Sequence, residues 1–351
     1  MRIISLKQAA EMKFSVVHMF SASGYGDAVM FAAVAREIVR QTGKPMLIAT
    51  RTVNYEMLAG IDVGLPAEIC ILDAYYAEIL NKANVSKLAR HGISLNLFSQ
   101  TKKKAILSEI AVGMGMTGTQ NLTPFLHIDE SLDNFGKFTE KPQIAIMSGG
   151  IYKKIMPTHI CQSIVDKYRD KCDFVLIGMK DDPAISNTVD MRGKLKFPSE
   201  VLAVLRESDL FVGSEGGLMH MARAVGTRAV IGDAWLGKVT GYAGHTHVFP
   251  RETRSWGERI AGDMNTFDTE DLYNAIDAQL AECGGGGAMP DNVVDLAGIE
   301  PLRMEIKRNT IMFNGGAIIC YYILSLFHKK FTKLARARIE RLKHELQWCF
   351  L

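Results

Sequence analysis

Short apolar runs that break into glycine turns, and then into helical patterns, constrain this chain more than any other feature. "FSVVHMF" (Phe14–Phe20) ends in "SASGYGD" and leads to a helical stretch from Ala28 to about Gln41. "PMLIAT" and "EICILD" (Glu68–Asp73) repeat the apolar run, with helical stretches expected around Ala74–Leu88 and Lys102–Met114. Short runs of this kind, separated by helices, predict strands buried on both faces, as in a parallel sheet covered by its crossover helices. The expected class is α/β.

The pattern stops at the polar stretch "DESLDNFGKFTEKP" (Asp129–Pro142), an expected inter-domain linker, and then restarts. "QIAIMSGG" is a strand and glycine turn, and "MPTHICQSIVDKYRD" a helix with Pro157 near its first turn. "FVLIG" is a strand, and "PSEVLAVLRESD" a helix with Ser199 as its expected N-cap. "LFVGSEGG" is a strand and loop, "LMHMARAVG" a helix closed by Gly226, and "RAVIGD" another strand. A chain of 351 residues is too long for one ordinary core. Two Rossmann-like halves in tandem, 1–138 and 139–285, are the simplest solution, followed after the flexible "CGGGGAMP" by an appendix, 286–351.

Charge is concentrated in that appendix. Between His328 and Leu351 stand seven Lys or Arg and two Glu, so with a net charge of +3 the body is near neutral. This argues against a general nucleic-acid surface. "IMFNGGAIICYYILSLF" (Ile311–Phe327) is interrupted by Asn314, Gly315 and Gly316 and falls short of the roughly 20 residues of a spanning helix. The basic segment 328–351 suits an amphipathic helix on an anionic membrane surface, or a helix packed on the body with its charged face in water. The six cysteines are scattered, with no C-x-x-C and no zinc spacing, as expected of reduced thiols in the cytoplasm. The first twenty residues carry no secretory signal pattern.

Three strand-to-helix junctions carry the chemistry. In "SASGYGDAV", Gly24 and Gly26 permit a tight turn, while Val29 replaces the third glycine of a dinucleotide fingerprint and the acidic partner about twenty residues on is absent. Both departures disfavour a dinucleotide oxidoreductase. Asp27 serves either as a helix cap or as a general base facing a cleft. In "SGGIYKKIMP", Gly149 and Gly150 followed by Lys153 and Lys154 suit a phosphate cradle of amides and an ammonium, or simply two solvated lysines. In "VGSEGGLMHMARAVG", Gly216 and Gly217 precede a helix that carries His220, with Glu215 beside them. Amides at that helix start suit a diphosphate, Glu215 a sugar or ribose hydroxyl, and His220 either the same ligand or a structural place in the core.

The segment "LKFPSEVLAVLRESDLFVGSEGGLMHMARAVGTRAVIGD" resembles the donor-site region of heptosyltransferase-like glycosyltransferases, family 9, of the GT-B fold. Glu215 stands where Asp is frequent in that family, Gly216 where Thr or Ser is frequent, and Arg228 in place of a proline; His220 keeps its place. "SGYGDAVMFAAVAREI" looks like the family's opening loop, and "GGIYKKIMPTHICQSI" like its K-x-W-P segment with Met156 replacing Trp. The resemblance spans about 14–280 and implies two Rossmann-like domains facing a central cleft. It implies Asp27 as the base, and Lys154 with Gly149, Gly150, Gly216, Gly217 and His220 on the diphosphate of a nucleotide-sugar donor. Glu215 would hold a donor hydroxyl, and Phe197 would pack either on the nucleobase or in the core. The expected reaction is inverting sugar transfer to a lipopolysaccharide or other surface-glycan hydroxyl, with neither metal nor cofactor. A nucleotide-sugar epimerase and a non-catalytic nucleotide-sugar or glycan-binding protein are the alternatives.

Overall fold

Continuous apolar runs build two parallel sheets. The computed structural model describes residues 1–20, 24–73, 88–98, 106–150, 155–235, 241–256, 259–284 and 288–299. The first sheet holds β1 (Arg2–Ile4), β2 (Val16–Phe20), β3 (Met46–Ala49), β4 (Ile69–Leu72) and β5 (Ser94–Phe98), in the order β1-β4-β3-β2-β5. All its pairings are parallel. Every residue of β3 and β4 is buried, as a sheet covered on both faces requires. Between β1 and β2, Ser5 and Gln8 form a reciprocal capping box that starts α1 (Leu6–Glu11), a signal the sequence reading passed over. Next, α2 (Tyr25–Thr42) ends where Gly43 turns left-handed at φ 63°. Of the expected helix around Lys102–Met114, the described part is α3 (Ile106–Gly113); the stretch 74–87 lies outside the described residues.

A short strand, β6 (Thr119–Asn121), precedes the second half. That half runs β7 (Gln143–Ile146), α4 (Thr158–Tyr168), β8 (Asp173–Leu176), β9 (Val189–Asp190), α5 (Ser199–Arg206), β10 (Leu210–Ser214), α6 (Gly217–Ala224), β11 (Arg228–Gly232) and β12 (His245–Val248). Its sheet has the order β12-β11-β10-β7-β8-β9. Counted within the half, this is the 3-2-1-4-5-6 arrangement of a doubly wound sheet, whose direction reverses between β7 and β10. In the first sheet the reversal lies between β2 and β5. Ligands bind beyond the carboxyl ends of strands at such reversals, and the loops after β2, β7 and β10 are the three glycine junctions of the sequence.

Two expectations need correction. Ser199 is not the cap of α5: Pro198 holds the cap position with no side-chain bond, and the Glu200 carboxylate instead accepts from Lys196 N–H at 2.7 Å. The appendix is not helical where it begins. After the hairpin β13 (Thr253–Trp256) and β14 (Arg259–Gly262) and the helix α7 (Thr269–Gly284), β15 (Val293–Asp295) pairs antiparallel with β6. The β-branched pair Val293 and Val294 favours this extended form. Asn292 reinforces it, accepting from Leu122 N–H at 2.9 Å and donating to the Thr123 hydroxyl at 2.7 Å. The segments 311–327 and 328–351 lie outside the described residues. No helix among those described is long and apolar enough to cross a membrane.

The departure at Arg228 has a structural use. Its guanidinium, nearly buried, pairs with Glu282 at 2.6 Å and so ties β11 to α7. The linker is also engaged. Gln143 is wholly buried, donates to Gly136 O at 2.8 Å and Ser208 Oγ at 3.1 Å, and accepts from Phe138 N–H at 2.9 Å. A Cβ on Gly136 would lie 2.6 Å from Val204 Cα, so the linker is strapped to α5. One buried apolar cluster then spans both halves, joining Val29, Phe31 and Val34 of α2 to Val201 and Leu205 of α5 and Met219 and Met221 of α6.

Candidate active site at two facing helix starts

The site grows from the end of β10. Ser214 is buried, and its hydroxyl accepts from Met156 N–H at 2.7 Å. This bond draws the chain after β7 up to the end of β10. Met156, at the position of the family's Trp, is fully buried. Glu215 N–H then donates to Gly232 O at 3.2 Å, and Gly216 leads in extended conformation into α6. No side chain caps α6, and its first turn carries no acid. The start of α2 also lacks a side-chain cap, but Asp27 lies in its first turn. A Cβ on Gly24 would stand 3.6 Å from Asp27 Oδ2, so that carboxylate turns back over the positive end of its own helix.

The two helix starts face each other. A Cβ on Gly217 would lie 3.6 Å from Tyr25 Cβ and 4.0 Å from Gly26 N. The His220 ring is wedged on Gly26, where a Cβ would fall 2.2 Å from Cδ2 and 2.7 Å from Nε2. On its other side His220 Nδ1 lies 2.6 Å from the Tyr242 hydroxyl, with the rings edge to face at 5.5 Å. Burial, helped by nearby His247, lowers the His220 pKa to about 3, so the ring is neutral at physiological pH. Burial raises the Tyr242 phenol, and the carboxylates of Glu215 and Asp27 push it further up while Arg223 opposes them. Asp27 on one half and Glu215 on the other thus act electrostatically on the same buried phenol.

Asp27, Glu215, Gly216, Gly217 and His220 are therefore brought together. Phe197 sits at their rim: it is 37% exposed, and its ring lies 4.6 Å from that of Tyr25, the first residue of α2. Gly149 and Gly150 follow β7, but Gly149 has a neighbour that the sequence reading missed. A Cβ there would meet the Asp182 carboxylate at 2.0 Å, and one on Gly178 would meet Asp182 Oδ2 at 2.4 Å. The two glycines admit Asp182, which accepts from Met179 N–H at 2.7 Å. A carboxylate seated there repels a phosphate from Gly149, whereas Gly150 is exposed. Lys154 lies outside the described residues.

Tyr242 and the pair Asp233–His247 were also missed. Asp233 is fully buried and accepts from His247 Nδ1 at 2.9 Å and from Trp235 N–H at 2.7 Å. The signal that could have found them is "GYAGHTHV", where two histidines two apart share one face of a strand just after a tyrosine. Among the described residues, no group of three His, Cys, Asp or Glu is placed to hold a metal ion.

This is the architecture of the GT-B fold: two Rossmann-like halves whose strand ends face each other. Among solved structures the chain is similar to a family 9 glycosyl transferase from Veillonella parvula DSM 2008, with a TM-score of 0.55 and 11% identity, covering 78% of this chain and 99% of that one. It is similar to the ADP-heptose lipopolysaccharide heptosyltransferase II of E. coli (TM-score 0.54, 12% identity, 76% and 98% covered). A third is the heptosyltransferase TibC of enterotoxigenic E. coli H10407, iron-containing and solved in complex with ADP-D-β-D-heptose (TM-score 0.53, 10% identity, 78% and 76% covered). No protein-family model matches the sequence, and no curated protein matches it.

Proposed function

We propose that the protein is a glycosyltransferase that moves a sugar from a nucleotide-diphosphate donor to a hydroxyl of a surface-glycan acceptor, with inversion. The observation that carries this reading is the meeting of two helix starts, one bearing Asp27 and the other bearing Glu215, Gly216, Gly217 and His220. Asp27 takes the proton of the acceptor hydroxyl as its oxygen bonds to the anomeric carbon. The bond from that carbon to the phosphate oxygen breaks, and the nucleoside diphosphate leaves with the electron pair. Its charge is met by the first amides of α6, by Gly150 and by the ammonium of Lys154, with His220 adding a neutral donor. Glu215 holds a hydroxyl of the donor, and Phe197 with Tyr25 offers an aromatic rim to the base. Asp182, in the loop after β8 and against Gly149, is a further carboxylate suited to a ribose hydroxyl. Protein donors rather than a metal stabilise the leaving group.

The donor sugar is a heptose or a related unit and the acceptor a lipopolysaccharide-type glycan, in keeping with the structures that share the fold. The basic segment 328–351 brings the enzyme to the anionic inner face of the cytoplasmic membrane. A thermal-shift screen with ADP-, GDP-, UDP-, dTDP- and CMP-linked sugars tests the first step, because a ligand that binds the native state raises its stability. Stabilisation by one nucleotide class is expected; stabilisation by none overturns the reading. Release of an epimerised nucleotide sugar with no acceptor present would identify an epimerase instead.

A further inference from the structure

His220 is held on two sides, and the chemistry of its partner decides which of its nitrogens carries the proton. A neutral imidazole has one N–H and one lone pair. The Tyr242 hydroxyl, 2.6 Å from Nδ1, has one proton to give. Tyr242 is 6% exposed, and among the described residues His220 is the hydrogen-bond partner of its hydroxyl. Were Nδ1 to donate, the phenol proton would be left buried without an acceptor, at the full desolvation cost of that group. Donation by the phenol satisfies both groups and leaves Nδ1 as acceptor and Nε2 as N–H. The ring cannot turn away, since Gly26 lies against its Cδ2–Nε2 edge and Tyr242 against its other side.

We propose that Tyr242 is a positioning residue: its hydroxyl fixes His220 as the Nε2–H tautomer and aims that donor at the junction of the α2 and α6 starts. There the donor has the same polarity as the amides of Gly26 and Gly217 and adds to the positive end of α6, across from the Asp27 carboxylate on α2. Tyr242 touches no substrate itself. The use of this donor rests on the reading of the junction as a diphosphate seat; the tautomer does not.

Long-range ¹H–¹⁵N correlation spectra of the full-length protein, with His220 assigned through a His220→Gln variant, test the tautomer directly between pH 6 and 8. The wild type is expected to show a protonated Nε2 and a bare Nδ1, and Tyr242→Phe, which keeps the ring, a mixture or reversal of the two. The signals of the remaining histidines report whether the variant is folded. Titration with ADP, GDP and UDP then reads the consequence. The diphosphate that binds the wild type should bind Tyr242→Phe about tenfold more weakly, about 1.4 kcal/mol. His220→Gln, whose amide nitrogen lies near the place of Nε2, should bind it about tenfold tighter than His220→Asn. A protonated Nδ1 in the wild type, or an unchanged tautomer in Tyr242→Phe, overturns the proposal. Expected tautomers with no nucleotide binding leave Tyr242 as assigned and overturn the diphosphate seat instead.

Discussion

The starts of α2 and α6 are built alike and charged differently. Both follow a strand at a sheet reversal, both enter through a glycine, and neither has a side-chain cap. In α2 the positive helix end is already answered by Asp27 from the first turn; in α6 the first turn has no acid. A helix end worth about half a charge is thus complemented by an acid of its own first turn in one case and not in the other. In the proposed function the two, placed face to face, divide the labour of a displacement: the first would hold a base and the second would receive the leaving anion. Two identical starts would do neither job as well, since two bare ones lack a base and two acidic ones repel a diphosphate.

Exchanging the charges breaks the comparison at its strongest point. Asp27→Asn should lower the transfer rate by roughly 10²–10⁴-fold and leave nucleoside-diphosphate affinity equal or better; sugar transfer and calorimetric titration, run side by side, measure both. If affinity fell as far as turnover, the two helix starts would not be doing different work. Gly217→Asp gives α6 what α2 has. It should weaken diphosphate binding by up to about thirtyfold, an effect of up to ~2 kcal/mol, while the melting temperature holds or rises because an acid suits that helix end. A fall in melting temperature would point to damage instead of charge.

The contact between the helices can be tested without any ligand. Gly26→Ala places a methyl group where the His220 ring stands and should cost about 1–3 kcal/mol in denaturant unfolding; an unchanged midpoint would mean that the helices are not held together there. Acid sharpens the same contact. Burial lowers the pKa of His220 to about 3 and that of His18 to about 4. The unfolded chain therefore binds more protons below about 6.5, and stability falls as pH drops from there toward those values. Buried His245, also held well below its ordinary value by burial, adds to the effect; each histidine contributes a slope of up to ~1.4 kcal/mol per pH unit, and His220→Gln should flatten the slope by about a third of the joint effect. The smallest change is expected at the rim, where Phe197→Ala should reduce discrimination among nucleobases by about 0.5–1.5 kcal/mol, read from relative affinities for ADP, GDP and UDP.

The strands and junctions were legible because their signals are local: a buried apolar run, then glycine, then helical spacing. Asp27, Glu215, Gly216, Gly217 and His220 each sit at such a junction, and parallel topology alone delivers them to one end of their sheets. Asp182 was not legible, because it is recognised only through the room that Gly149 and Gly178 leave for it. Tyr242 reaches His220 from 22 residues further along, a contact that exists only once β11 and β12 lie beside β10. The α1 capping box was legible and overlooked, and the strand β15 was obscured by the helical character expected of everything after 286.

The apolar cluster that joins α2 to α5 and α6 has a consequence for how the molecule folds. Its topology is that of two domains, yet much of the apolar face of each half is covered by the other. Severed at the linker, each piece would present to water the part of this cluster that the other half covers, an open invitation to aggregation. The halves should therefore melt together in one cooperative transition and fail to assemble from separately produced fragments. A substitution in this seam therefore calls for a matching change on the other half.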